Sequence, residues 1–169
     1  MTSFQDAFHK GLEAYESADR ARKEIFAVFD DCAKQVSAAS GGAISLSYRE
    51  KSRERRGNKT IADVVTGVLP TYESYEALEA RIADGTQSGA VELCEYKLSP
   101  RGYPVSIAYA DVHEYCHDKP SLEQALVDLL GHPVTGGVLR QLMDLQAKTR
   151  SGGAGGHPQV TDVRNGKGD

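Results

Sequence analysis

At 169 residues the chain has the size of one globular domain and is long enough to bury a core. It carries 20 lysines and arginines against 24 aspartates and glutamates, a formal net charge of −4, which argues against bulk, sequence-independent nucleic-acid binding. The three cysteines, Cys32, Cys94 and Cys116, lack the paired spacing of a disulfide scaffold, and no apolar run approaches the roughly 18 residues a membrane helix needs.

Residues Met1 to Asp6 have neither the basic nor the apolar region of a signal peptide, so a cytoplasmic location is expected. Thr2 and Gln5 stand at capping-box spacing, and the pattern predicts a long helix over 2–40, ended by Gly41 and Gly42. Phe4, Phe8, Leu12, Tyr15, Ala18, Ile25, Phe29, Cys32 and Val36 follow helical spacing. Such a helix is about 55 Å long, whereas a domain of this size is roughly 35–40 Å across. It must kink near Gly11 or overhang the domain. An overhanging apolar stripe is most simply covered by a second copy, with Tyr15, Ile25 and Phe29 as the dimer contacts.

Two ββα units are expected next. In the first, over 42–85, a strand with Ile44, Leu46 and Tyr48 on one face precedes the strongest charge bias of the chain. That run contains Arg49, Lys51, Arg53, Arg55, Arg56 and Lys59 against Glu50 and Glu54. A second strand over 60–68 would make the basic run a hairpin tip projecting beyond the sheet. A helix over 74–84, with Tyr75, Leu78 and Ile82 inward, closes the unit. In the second, over 89–131, strands at 90–98 and 103–110 flank the turn Ser99-Pro100-Arg101-Gly102, and a helix opens at Ser121 with Gln124 completing a capping box. Gly42 to Leu46 aligns with Gly89 to Leu93 at an offset of about 47 residues, the signature of a tandem repeat.

A last helix is expected over 134–149, with Val138, Leu139, Leu142 and Leu145 on its apolar face. Residues 151–169, rich in glycine and polar types, are expected to be a disordered tail. The predicted fold is α+β, with residues 1–150 as one domain: a four-stranded antiparallel sheet, helices on one face, a long N-terminal helix and a C-terminal helix.

Few residues suggest chemistry. His113, Cys116 and His117 are metal ligands by type, but there is no second pair at ligand spacing, so no metal or cofactor is assigned. Nucleotide-binding and hydrolase motifs are absent, and no catalytic residue is proposed. The expected order of elements resembles that of the LAGLIDADG homing endonucleases, which place a metal-binding acid at the end of the first helix. The matching junction here, Ser37 to Ala43, has no carboxylate, which disfavours that nuclease chemistry. The expected function is non-enzymatic protein–protein interaction, as an inhibitor, immunity-type or adaptor protein. Arg49, Lys51, Arg53, Arg55, Arg56 and Lys59 would contact an acidic protein partner, or alternatively nucleic acid, with no membrane involved.

Overall fold

The computed structural model describes residues 3–54, 72–83 and 89–152. Helix α1 runs unbroken through Gly11, over Phe4–Ala39. Its N-cap is Ser3, whose hydroxyl accepts from the Asp6 N–H, one position later than the expected capping box; Thr2 and the strand expected over 60–68 lie outside the described residues. At its far end the Ser40 N–H donates to the Val36 carbonyl and the Gly42 N–H to the Ser37 carbonyl. Gly41 and Gly42 both have positive φ, which turns the chain sharply into the sheet.

Five strands follow: β1 Ile44–Glu54, β2 Tyr72–Ile82, β3 Val91–Ser99, β4 Gly102–Tyr109 and β5 Val112–Cys116. They form one antiparallel sheet in sequential order, β1-β2-β3-β4-β5. Helices α2, Lys119–Gly131, and α3, Pro133–Gly152, complete the chain. The α+β class is as expected, but the sheet has five strands rather than four, and the tandem ββα repeat is not found. With it goes the element-order likeness to the homing endonucleases.

The largest correction is β2, read from sequence as a helix over 74–84. Tyr75, Leu78 and Ile82 do fit helical spacing, and alanine and glutamate favour helix. Leu78, Ala80 and Ile82 also alternate, and that pattern prevails because it sets them opposite Tyr48, Leu46 and Ile44 of β1. All three are buried. A fifth strand was also missed: Val112–Cys116 pairs with β4 after a tight turn at Ala110, which has a φ of 47°.

Two helix details differ as well. The capping box of α2 uses Asp118 and Ser121, not Ser121 and Gln124: the Asp118 carboxylate accepts the Ser121 N–H at 2.9 Å and the Ser121 hydroxyl accepts the Asp118 N–H at 3.1 Å. Those bonds from Ser121 hold the Asp118 carboxyl below its ordinary pKa. On α3, Leu142 is buried as expected, but Leu145 is half exposed and Gln146 is buried in its place.

The core lies between the helices and one face of the sheet. Ile25, Val28 and Phe29 of α1 meet Ile44, Leu46, Leu78, Tyr96, Val105 and Ile107, and Leu122, Leu126 and Leu129 of α2 close the layer. The Phe29 and Tyr96 rings are 4.9 Å apart, and Tyr48 lies 5.2 Å from Phe26. Arg22 donates to the Pro100 carbonyl and the Tyr103 hydroxyl to Glu24, both at 3.0 Å, fixing α1 against the β3–β4 turn. In contrast, every α1 residue from Phe4 to Ser17 is exposed. The helix therefore overhangs the core by roughly 20 Å.

Gly102 is where α1 and the β3–β4 turn meet most closely. Its φ is +91°, and a Cβ there would lie 2.5 Å from the Ala21 Cβ. Both constraints oppose a side chain, so Gly102→Ala is expected to lower unfolding stability by about 2–4 kcal/mol in urea titration. A loss below about 0.5 kcal/mol would mean that the helix is not seated on this turn.

Candidate functional site

The face of the sheet opposite the core carries the distinctive chemistry. Alternation along β1 puts Arg49, Lys51 and Arg53 on it, and the β1–β2 register sets them beside Ala77, Tyr75 and Glu73. β2 adds Glu79 and Arg81 to this face. β3 adds two carboxylates that a regular strand could not place together. Glu92 and Glu95 are three residues apart and would point to opposite faces. A bulge between β2 and β3 inserts Leu93 as the extra residue, so Glu92 pairs with Glu79 and Glu95 with Ala77, while Cys94 pairs with Leu78 on the core side.

These side chains form two linked ion clusters. The Lys51 ammonium lies 2.9 Å from Glu79 Oε1 and 3.0 Å from Glu92 Oε2. The Tyr75 hydroxyl donates to the same Glu92 oxygen at 3.0 Å. The Arg53 guanidinium engages Glu95 through both terminal nitrogens, at 2.6 and 3.3 Å, and Glu73 through Nε at 2.7 Å. Its Cζ sits 4.6 Å from the Tyr75 ring centroid, so the guanidinium is held in its plane by carboxylates and on its face by an aromatic ring. Bonding to Glu79 and then Glu92 raises the Lys51 pKa well above the ordinary lysine value, and bonding to Glu73 and Glu95 does the same for Arg53.

Of the expected binding residues, Arg49, Lys51 and Arg53 are therefore not at a hairpin tip. Arg49, Lys51 and Arg53 lie within a paired strand that continues to Glu54, and Lys51 and Arg53 already have carboxylate partners from neighbouring strands. Arg49 is exposed and makes no ion pair among the described residues. Arg55, Arg56 and Lys59 lie outside the described residues. The sequence reading missed Glu73, Tyr75, Glu79, Glu92 and Glu95. Tyr75 and Glu79 fell in the segment read as helix and Glu73 just before it, and the bulge that joins Glu92 to Glu95 leaves no periodic trace.

Of the expected dimer contacts, Ile25 and Phe29 are buried in the chain's own core, whereas Tyr15 is exposed on the overhang. The histidine and cysteine group is split by strand alternation: His113 faces outward, its ring 4.8 Å from that of Tyr115, while Cys116 points into the core. Among the described residues no three His, Cys, Asp or Glu side chains are grouped to hold a metal. Cys32, Cys94 and Cys116 are all free thiols. Burial pushes Cys94 up to about 12 and Cys116 up to about 11, which keeps both as unreactive thiols at neutral pH. Among the described residues no helix is long and apolar enough to cross a membrane. No family model, no curated protein and no solved structure matches the chain.

The ion cluster around Glu79 can be tested directly. The Glu79 side chain is only 9% exposed, so removing its cation leaves a nearly buried charge uncompensated. Lys51 itself is about a third exposed, which screens the pair, so Lys51→Met is expected to cost about 1–2 kcal/mol. Adding Glu79→Gln should recover part of that loss in a double-mutant cycle by urea unfolding. Because the Lys51 pKa is raised, its contribution is complete below the ordinary lysine pKa of about 10.4 and is lost only as pH rises through the folded value. A Lys51→Met variant as stable as the parent would remove the pair from any structural account.

Proposed function

We propose that the protein is a non-enzymatic interaction protein of the inhibitor, immunity or adaptor kind. Its contact residues are those of the outer face of β1 to β3 together with the basic residues Arg55, Arg56 and Lys59, which follow β1 in sequence. The observation that supports this reading is the immobilised Arg53. A guanidinium gripped by two carboxylates and stacked on Tyr75 has little side-chain freedom left to lose, so a partner docking over it meets a preorganised charged surface. Surfaces of this kind serve shape and charge matching with one defined protein.

The same cluster weighs against the nucleic-acid reading. Glu73, Glu79, Glu92 and Glu95 surround Lys51 and Arg53 with more negative than positive charge, and a phosphate approaching either cation meets those carboxylates first. The cations left for an acidic partner include Arg49, the exposed Lys97 of β3 and the basic residues that follow Glu54 in sequence.

Affinity capture from the native cell, followed by titration with the purified partner, tests the proposal. Reversing Arg49, Arg55 and Arg56 to glutamate is expected to weaken binding by about 100-fold or more, with a shallow dependence on salt. Arg49→Glu alone should leave stability within about 1 kcal/mol of the parent, because Arg49 is exposed. Undiminished binding by the triple variant would move the site elsewhere. Steep salt-dependent binding to many unrelated nucleic-acid sequences would favour the alternative.

A further inference from the structure

We infer that the overhanging segment of α1 pairs with the same segment of a second copy, antiparallel, through Phe4, Phe8, Leu12 and Tyr15. This inference is independent of the outer face of the sheet. The four side chains are 94%, 64%, 48% and 66% exposed, although they are among the largest apolar groups of the chain. They recur at spacings of four, four and three residues, which sets them on one side of the helix. A helix of about four turns standing clear of its own core is only marginally stable in water, and Gly11 at its middle weakens it further. Cover for this stripe therefore stabilises the helix as well as burying apolar surface.

The distribution of charge favours a second copy as that cover. At 100° per residue, Phe4, Ala7, Phe8, Gly11, Leu12, Ala14, Tyr15 and Ala18 occupy a sector roughly 160° wide without a charged residue. Asp6, Lys10, Glu13 and Glu16 lie outside it. A wide, neutral, wholly apolar sector has nothing to offer a charged partner and meets no repulsion from itself. The area is also sufficient. Fully buried aromatic side chains contribute about 150–250 Å² each, so the exposed parts of the four groups amount to roughly 500 Å² per copy. Two copies bury roughly 1,000 Å², the lower bound for a specific interface.

The position of the body sets the orientation. The core begins at Ala18, and Ala21 and Arg22 lie against the β3–β4 turn. An antiparallel pair overlaps the two overhangs fully and leaves the two bodies at opposite ends. A parallel pair would bring both bodies to the same end of the helices. In the antiparallel register Phe4 lies near Tyr15 of the partner subunit, and Phe8 lies over Gly11 of the partner subunit. A Cβ built at Gly11 meets nothing within 4 Å in the single copy, so there is open space for that ring.

Sedimentation velocity on the full chain from about 1 to about 200 µM tests this, with a dimer expected in the micromolar range. Phe8→Glu and Leu12→Glu are each expected to raise the dissociation constant at least ~100-fold while leaving the near-ultraviolet circular dichroism unchanged, because neither side chain reaches the core. Lys10→Glu, on the opposite side of the helix, should leave the dimer intact. Mixing Phe4→Cys with Tyr15→Cys protein should give the mixed disulfide, with Phe4→Cys failing to link to itself. A parent chain that stays monomeric at the highest concentration would overturn the inference. So would glutamate variants that dimerise normally, or Phe4→Cys linking to itself.

Discussion

The pairing of β1 with β2 is the constraint on which both faces of this protein depend. Eleven residue pairs, from Ile44 with Ile82 to Glu54 with Tyr72, hold one register. That register sets Ile44, Leu46 and Tyr48 against Ile82, Ala80 and Leu78 under the helices. It also sets Lys51 and Arg53 on the outside, within reach of Glu73, Glu79, Glu92 and Glu95. A slip of one residue would turn the basic side chains into the helix layer and expose the aliphatic ones, so burial on one face enforces the ion clusters on the other. The bulge at Leu93 extends this to a third strand: it keeps Cys94 and Tyr96 in the core while letting two carboxylates three residues apart share the outer surface.

Helix α1 shows how one continuous element can serve two environments. From Ala18 onward, packing of Ile25, Val28 and Phe29 and the bonds of Arg22 and Glu24 to the β3–β4 region hold it in place. Before Ala18 the helical hydrogen bonds continue without tertiary support. The composition changes at the same point. Ala7, Gly11 and Ala14 occupy the line that Ile25 and Val28 occupy further on, and the large side chains shift to its flank. Small residues on a helix line permit close approach of another backbone, whereas branched and aromatic residues fill the deeper space above a sheet.

The parts of this fold legible in the sequence are those governed by one dominant pattern. α1, the start of β1, the β3–β4 hairpin, α2 and α3 each have unambiguous periodicity with a cap or turn residue close by. β2 was misread because Leu78 and Ile82 belong to both patterns, helical with Tyr75 and alternating with Ala80, and only the presence of β1 as a partner decides between them. The apparent repeat reinforced the error by equating residues 42–85 with a unit, 89–131, that does end in a helix. β5 was missed because it is five residues long and mostly polar outside the core. The candidate surface was legible only in part. Basic residues at alternate positions of β1 were visible, but their carboxylate partners come from strands whose identity or register the sequence did not reveal.

This pairing changes what a basic run means. Arg49, Lys51 and Arg53 look, in sequence, like cations presented to a ligand. Two of the three are already committed to carboxylates across the sheet, and an ion pair must be broken before either can neutralise a partner's charge. Attraction through net positive charge is therefore weak over the outer face of β1 to β3, where Arg49, Lys51, Arg53, Arg81 and Lys97 nearly balance Glu73, Glu79, Glu92 and Glu95. What this region offers instead is a fixed spatial pattern of alternating charge, held by bidentate bonds and a stacked ring. Such a pattern discriminates between partners more than it attracts them, because a mismatched surface leaves charged groups desolvated and unpaired. Long-range attraction, if the partner is acidic, would draw on the exposed cations of this face without a carboxylate partner among the described residues, Arg49 and Lys97, and on those that follow Glu54 in sequence. Steering and discrimination would then fall on different residues, the unpaired cations and the paired ones.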